Sequence, residues 1–475
     1  MSDTGKTITL NNVSRLEGKA KITFQLDSTN NLQKAEFNVL EFRAFEKFME
    51  GRMAREVPRI TPRICGICPV SHHLASAKAT DMLARTIIPE RAKLHRELMH
   101  MGQFIHSHTL HVYFLALPDF INGFEAKSND FTLLLKKNAQ LVKDVIKIRA
   151  FGQKTIEITG GKAIHPVTAI PGGISIPITK FNRDLLLSEA KELLSITNNA
   201  ITTAWDLLDA VPDELKQYER LETHQLGMVS PKGEIALYDG ETIILNEKNM
   251  RIQSFRGAKY KDYIQEQHND YSWTKFPYLR GLGSQENGIL QVGPLARQKC
   301  YDKIPTEEAA QFLDRFRKQF GKETTENYAT HYARLIEIIY ALERQIEILE
   351  DPQLMQNTDY RVATNIKEAS GVGIIEAPRG ALIHSFQSDN NGRITKADLI
   401  VATTFNNPAI NRSLYKVAKN QFDANKETFN DKTLRQIEST VRIFDPCLTC
   451  SSHSKNNFVI EVRDHEGKIL STIET

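Results

Sequence analysis

The 475-residue chain reads as an α+β protein, predominantly α, with a core of long helices and small β-hairpins at its periphery. Three observations predict this. Apolar residues recur three and four apart across several long stretches, the period of a half-buried helix. Alternation with a period of two is confined to short runs beside turn residues. No repeat, low-complexity tract or long Pro/Gly linker interrupts the pattern, so one helix-rich body with β-appendages is expected.

In chain order, Ile22, Phe24 and Leu26 share one face, residues 28–31 (STNN) offer a turn, and Ala35, Phe37 and Val39 alternate again, which predicts a hairpin. From about residue 68 the spacing becomes helical, and it recurs in 91–116, 132–152, 183–210, 305–320 and 326–350. Residues 233–255 form a strand-rich patch whose YDGE (238–241) is the expected turn. Further on, 371–386 and 394–405 flank DNNG (389–392) like a hairpin, and 457–473 read as a third. These patterns divide the chain into a β-rich segment to about residue 60, a helical core from 61 to 350, and a mixed part from 351 to 453. Residues 454–475 follow as an extension.

Composition excludes several roles. Lys and Arg number 61 against 58 Asp and Glu, and they are spread rather than clustered, so nucleic acid is not an expected partner. The first thirty residues lack the basic start, apolar core and cleavage site of a secretory signal. Even the apolar stretch 335–349 carries four charges, so no transmembrane segment is expected and the location reads as cytoplasmic.

Five cysteines make a disulfide framework a poor reading. Four of them form two CxxC pairs, Cys65 with Cys68 and Cys447 with Cys450, while Cys300 stands alone and is expected to be a small buried hydrophobe. Two pairs supply four thiolates for one metal site. A local zinc ribbon is excluded because nearly the whole chain separates the pairs, yet zinc joining the two ends, a redox metal and a dithiol all remain open on spacing alone. The flanks are more specific. His72 follows Cys68 by four and would, on a helix, set its ring above the sulfur, while Pro446 fixes the backbone entering the second pair and His453 follows Cys450 by three.

With RICGICPVSHH (63–73) and DPCLTCSSH (445–453) go SRLEGKAKI (14–22), EFRAFEKFMEGR (41–52), HSHTLHVYFLALPDF (106–120), HPVTAIPGG (165–173), KFPYLRGLG (275–283), GVGIIEAPRG (371–380) and ATTFNNPA (402–409). Together these motifs resemble, end to end, the large subunit of a nickel–iron hydrogenase. Among its members the chain is most similar to the cytosolic methyl-viologen-reducing type that feeds heterodisulfide reductase, and next to the bidirectional NAD-coupled type. The resemblance implies that family's large-subunit fold and reversible heterolytic oxidation of dihydrogen. It implies a nickel–iron centre in which Cys65 and Cys447 are terminal nickel ligands, Cys68 and Cys450 bridge to iron, and carbon monoxide and cyanide complete the iron.

By the same resemblance, Arg379 hangs over the open metal position, Asp119 and Asp445 hold that arginine, and Glu17 relays protons from Cys447. His72 is counted with the catalytic residues, and Thr403 and Pro378 are expected against the cofactor. Glu46, His453 and the Leu399 carbonyl would bind a magnesium-type (or ferrous) ion, although the chain has Ala44 where the family motif has glycine. His106, His108 and His111 are expected to support the site or pack helices rather than bind metal. The implied partners are a small subunit holding the iron–sulfur clusters, since this chain has no further cysteine cluster, and electron-acceptor subunits. Maturation would need nickel-insertion proteins and an endopeptidase cutting after His453, the extension holding the second cysteine pair outward until then. The competing readings are a hydrogen sensor or non-catalytic relative of the same fold, and a structural four-cysteine zinc protein.

Overall fold

The computed structural model describes residues 7–11, 13–29, 31–40, 44–122, 132–212, 220–269, 271–424, 431–448, 459–463 and 469–474. Strands β1 (Thr7–Asn11), β2 (Ala20–Leu26) and β3 (Leu32–Val39) open the chain as an antiparallel meander, with the expected hairpin between β2 and β3. Helices α1 (Pro69–Leu83), α2 (Glu90–Thr109), α3 (Ala139–Gly160) and α4 (Lys180–Asp209) follow. After α2 the winding loosens into a π-helical stretch, Leu110–Ala116, a geometry that often marks functional sites because it swings side chains off the regular face.

A four-stranded sheet comes next, from β4 (His224–Val229), β5 (Glu241–Leu245), β6 (Arg251–Phe255) and β7 (Leu290–Gln291), in the order β7-β4-β5-β6. The expected YDGE lies in the bend that brings the chain back from β4 into β5. A second reversal, between β5 and β6, lies at Asn246–Met250, where Asn246 Oδ1 accepts the N–H groups of Lys248 and Met250 at 3.0 Å each, an Asx turn. Helices α5 (Pro294–Cys300), α6 (Glu307–Phe320) and α7 (Thr330–Glu350) complete the helical core. Leu98 and Phe104 of α2, Phe151 of α3, Trp205 of α4, Phe316 of α6 and Leu335 of α7 are all buried in it.

Sheet β8 (Ala369–Ala377), β9 (Gly380–Ser388) and β10 (Ile394–Ile400) is antiparallel. The β9–β10 turn is the expected DNNG, but 371–386 does not run on as one strand. It folds back at the two residues Pro378 and Arg379, with Ala377 paired to Gly380. Residues beyond Ile400, read as a strand to 405, begin helix α8 (Ala402–Ala424), and α9 (Asp431–Ile443) packs beside it. The expected last hairpin forms as β11 (Val459–Arg463) and β12 (Ile469–Glu474), and β11 pairs with β1, giving a five-stranded sheet β12-β11-β1-β2-β3.

Helix α1 lies directly on β8. A Cβ added at Gly373 would come within 2.0 Å of the Ala75 carbonyl oxygen, and one at Gly371 within 2.2 Å of that of Ala79, so glycine is what lets the cysteine-bearing helix approach. Gly373→Ala is expected to destabilise the protein by about 1–3 kcal/mol through overpacking, read as a lower urea midpoint with unchanged slope.

Candidate metal centre

The two cysteine segments enter the site differently. A tight helical turn ends at Ile64, Cys65 takes up extended backbone, and Pro69, whose fixed φ suits a first helical position, starts α1 immediately after Cys68. Between them the N–H groups of Ile67 and Cys68 donate to Cys65 Sγ at 3.4 and 3.3 Å, which fixes the sulfur inward. Cys447 arrives on extended chain after α9. Its N–H donates to Thr403 Oγ1 at 3.0 Å, and the N–H of Leu448 donates to the Glu17 carbonyl at 2.7 Å.

Cys65 Sγ and Cys447 Sγ lie 3.0 Å apart, and with Cys68 they form a group whose ligand atoms are all within 4.8 Å of one another. Cys450 and His453 lie outside the described residues. For Cys447 the expectation that the extension holds the second pair outward does not hold: its sulfur is already inside. Contacts with Cys65 and Cys68, together with burial, hold the Cys447 thiol well above its usual range. Crowded, buried thiols ionise together only around a cation, and soft sulfur donors suit nickel and iron, so this donor set fits the metal pair the resemblance implies.

Arg379 sits at the tip of the β8–β9 hairpin and is 3% exposed. Its Nε donates to the Asp445 carbonyl at 2.7 Å and a terminal nitrogen to Asp445 Oδ1 at 3.0 Å. Burial raises the Asp445 carboxyl, but Arg379 and then His111 outweigh it and hold the group well below the usual carboxylate range. The π-helical stretch brings His111 Nδ1 to 2.9 Å from Asp445 Oδ1. Burial pushes His111 and His106 down to about 4, so both rings are neutral at pH 7 and support the site rather than carry charge.

Asp119 corrects an expectation. Its carboxylate takes Arg442, at 2.7 and 3.0 Å, and Arg15, while Arg379 is held by Asp445. The reason is reach: Arg442 on α9 and Arg15 after β1 both converge on the end of the 110–122 helical segment, where Asp119 lies.

Glu17 Oε2 is 3.0 Å from Cys447 Sγ, within proton-transfer distance. His72 Nδ1 faces His384 Nε2 at 3.1 Å, and His384 Nδ1 faces Ser76 Oγ at 2.7 Å, so the ring beside the sulfurs is backed by a second buried imidazole. Cys65, Cys68, His72, Arg379, Thr403 and Cys447 line a cavity of about 430 Å³ that continues to Glu46, Lys275 and the exposed Trp273.

Glu46 and Leu399 do meet, but through the Leu399 N–H, which donates to Glu46 Oε1 at 2.9 Å. The same oxygen accepts from the Lys275 ammonium at 2.8 Å, and Lys275 also pairs with Glu266 and Asp398. A lysine cation therefore satisfies these carboxylates, and His453, the remaining expected ligand, lies outside the described residues.

Sequence reasoning missed a buried ionic group behind the hairpin tip. Arg297 donates to Glu337 at 2.7 and 2.6 Å, to Glu376 at 2.7 Å, and to the carbonyls of Ala377 and Pro378 at 2.9 and 3.0 Å. Two acids share one guanidinium, and their pKa values part: burial raises both, but Arg297 outweighs it for Glu337, at about 2, whereas Glu376 stays up at about 7. His108 Nε2 reaches Glu337 at 2.8 Å, the supporting role expected of it. Only the nearness of Glu376 to the APRG motif signalled any of this. Cys300 is buried, as expected.

A model of the family described as nickel-dependent hydrogenase matches residues 43–148 and 209–453, and one described as HoxL-like matches residues 7–42. An F420-non-reducing hydrogenase chain of Methanothermobacter thermautotrophicus is 36% identical over 476 residues, covering 98% of this chain and 99% of that protein. The NAD-reducing hydrogenase HoxS subunit beta of Cupriavidus necator is 34% identical over 488 residues, with 98% and 99% covered. A crystal structure of an NAD+-reducing [NiFe]-hydrogenase in the H2-reduced state superposes with a TM-score of 0.89 at 36% identity, covering 95% of this chain and 100% of that one.

Asp445→Ala would leave a fully buried guanidinium without its counter-ion, and denaturant unfolding of the full chain is expected to show a loss of about 3–5 kcal/mol. Glu326→Ala, which breaks the partly exposed pair with Arg220, is expected to cost less than about 1 kcal/mol in the same measurement.

Proposed function

Since the chain belongs to the nickel-dependent hydrogenase family as a large subunit, an oxidoreductase acting on dihydrogen, we propose that it catalyses the reversible heterolytic oxidation of dihydrogen at a four-cysteine nickel–iron centre. The observation that carries this is the meeting of Cys65, Cys68 and Cys447 beside Arg379 and Glu17. In this reading Cys450 supplies the fourth sulfur, and iron carries carbon monoxide and cyanide. Bound there, the metals would polarise dihydrogen, which no side chain of this protein can do unaided.

The chain's own residues have distinct tasks. Cys447 Sγ passes a proton to Glu17, 3.0 Å away, and so towards the protein surface. Arg379 presents a fixed positive charge to the pocket without reorganising, because Asp445 and the Arg297 group immobilise the hairpin that bears it. Thr403 fixes the Cys447 backbone through its oxygen, which leaves its hydroxyl hydrogen to donate into the cavity, and Pro378 shapes the tip of the turn. His72 orders the wall beside Cys68.

Electrons leave through a small subunit holding iron–sulfur clusters, and acceptor subunits set the final carrier. No described helix is long and apolar enough to cross a membrane, which accords with a cytoplasmic complex. The family match ends at residue 453, which supports residues 454–475 as an extension cut off by an endopeptidase once nickel-insertion proteins have acted.

The test is dye-linked hydrogen uptake by the complex matured in its own host, with infrared spectra for metal-bound cyanide and carbon monoxide. Cys447→Ser is expected to abolish uptake and leave small-subunit binding intact; persistent uptake, or zinc alone at the thiolates, would overturn the proposal. Glu17→Gln is expected to retain nickel and the infrared bands while hydrogen uptake falls by about 10²-fold or more, as loss of a proton-transfer group predicts.

A further inference from the structure

A second cavity, of about 540 Å³, shares no lining residue with the sulfur pocket. It lies between the loop after β4, the sheet strands β5 and β6, and the end of α5. Its floor is Lys299 with the apolar side chains of Val229, Ile243 and Leu245, all buried. Lys299 is only 4% exposed, yet its ammonium makes no hydrogen bond or ion pair among the described residues.

The other lining charges largely close on themselves. Arg251 pairs with Glu241 at 2.8 Å, and Lys322 with Asp302 at 2.6 Å. That leaves Lys299, Lys232 on the exposed rim and the Glu323 carboxylate, a surplus of one positive charge. Lys232 is held at the rim by a tight turn in which Ser230 Oγ accepts the N–H groups of Lys232 and Glu234 at 3.2 Å each.

An ammonium at the floor of a cavity with no hydrogen bond from the described residues is poorly solvated, and desolvation lowers the Lys299 amine to about 8, with the Glu323 carboxylate offsetting it only in part. The cavity volume falls within the range of small-molecule sites and far exceeds that of a single ion. We propose that this cavity binds a small organic anion, its phosphate or carboxylate group seated on Lys299 with Lys232 closing over it, and its apolar part against Val229, Ile243 and Leu245.

The test uses the full-length chain at constant ionic strength, with inorganic phosphate and acetate as head-group probes and chloride as background, followed by calorimetry and thermal unfolding. A saturable response to one or both is expected, and which of them gives it identifies the head group. Lys299→Met, which keeps the side-chain stem, is expected to weaken that response about tenfold or more, as loss of a charge-assisted contact does. Glu323→Gln, at an exposed position, is expected to strengthen it by removing the competing carboxylate.

Sulfate or acetate, whose charges are constant above neutrality, gives the pH series. The folded amine titrates below its unfolded value, so binding should weaken as pH rises from about 7 to about 9. No saturable response to either probe, or a response unchanged in Lys299→Met, would overturn the proposal. A response that ignores pH would do the same.

Discussion

The structure depends on the meeting of the two ends of the chain at one backbone contact. Glu17 and Cys447 form a parallel bridge, and the Leu448 N–H donates to the Glu17 carbonyl. Cys65 and Cys447 are 382 positions apart in sequence, so holding their sulfurs together opposes a loop-closure entropy of about 5 kcal/mol or more. Ile22, Phe24 and Phe37 of the N-terminal sheet share one apolar cluster with Ile410 and Leu414 of α8 and Ile437 and Val441 of α9. Hydrophobic burial between the two ends thus opposes that cost and draws the thiols together.

The polar groups around the sulfurs follow a second constraint, that a buried guanidinium must be surrounded by acceptors. Arg96, Arg297 and Arg442 are almost wholly excluded from solvent and follow it, whereas the equally buried Arg334 donates, among the described residues, only to the Ile443 carbonyl, and burial lowers it to about 10. Arg297 takes two carboxylates and two carbonyls, and Arg442 takes Asp119, Glu438 and the Ser14 carbonyl. Each ties elements distant in sequence: α5 to α7 and β8 through Arg297, α9 to the start of the chain and to the 110–122 segment through Arg442. Such groups add little net stability compared with apolar packing, but losing one partner strands the other, so they enforce a single arrangement. That suits a site where Arg379 must stay fixed.

How much of this could be read from sequence varied with the range of the interaction. The two CxxC pairs and their flanks were legible because local turn chemistry and ligand identity sit within a few residues of each other. Long helices were legible because their apolar period repeats many times. The reversal at Pro378 and Arg379 was not: β8 is buried on both faces, its run of apolar residues lacks alternation, and a proline-arginine tip is no strong hairpin signal. The β5–β6 reversal, where Asn246 captures its own backbone, was hidden as well, because YDGE was the more obvious turn signal in that stretch. Arg297, Glu337 and Glu376 come from three separate regions, so no local pattern could foretell that two acids share one guanidinium. The pairing of Arg442 with Asp119 was hidden for the same reason, and it moved Asp119 from the arginine at the metal pocket to a neighbour behind it.

The place of β11 follows from sheet physics. With β11 on its outer side, β1 is an interior strand whose N–H and C=O groups are paired on both edges. Removing β11 and β12 would turn β1 into an edge, but the register of β1 on β2 does not involve β11. Loss of β11 would leave the β1–β2 and β2–β3 pairings in place and expose an unpaired strand edge at β1. Main-chain pairing to β1 fixes the position of β11 through directional hydrogen bonds, the mode by which an added strand completes a sheet edge.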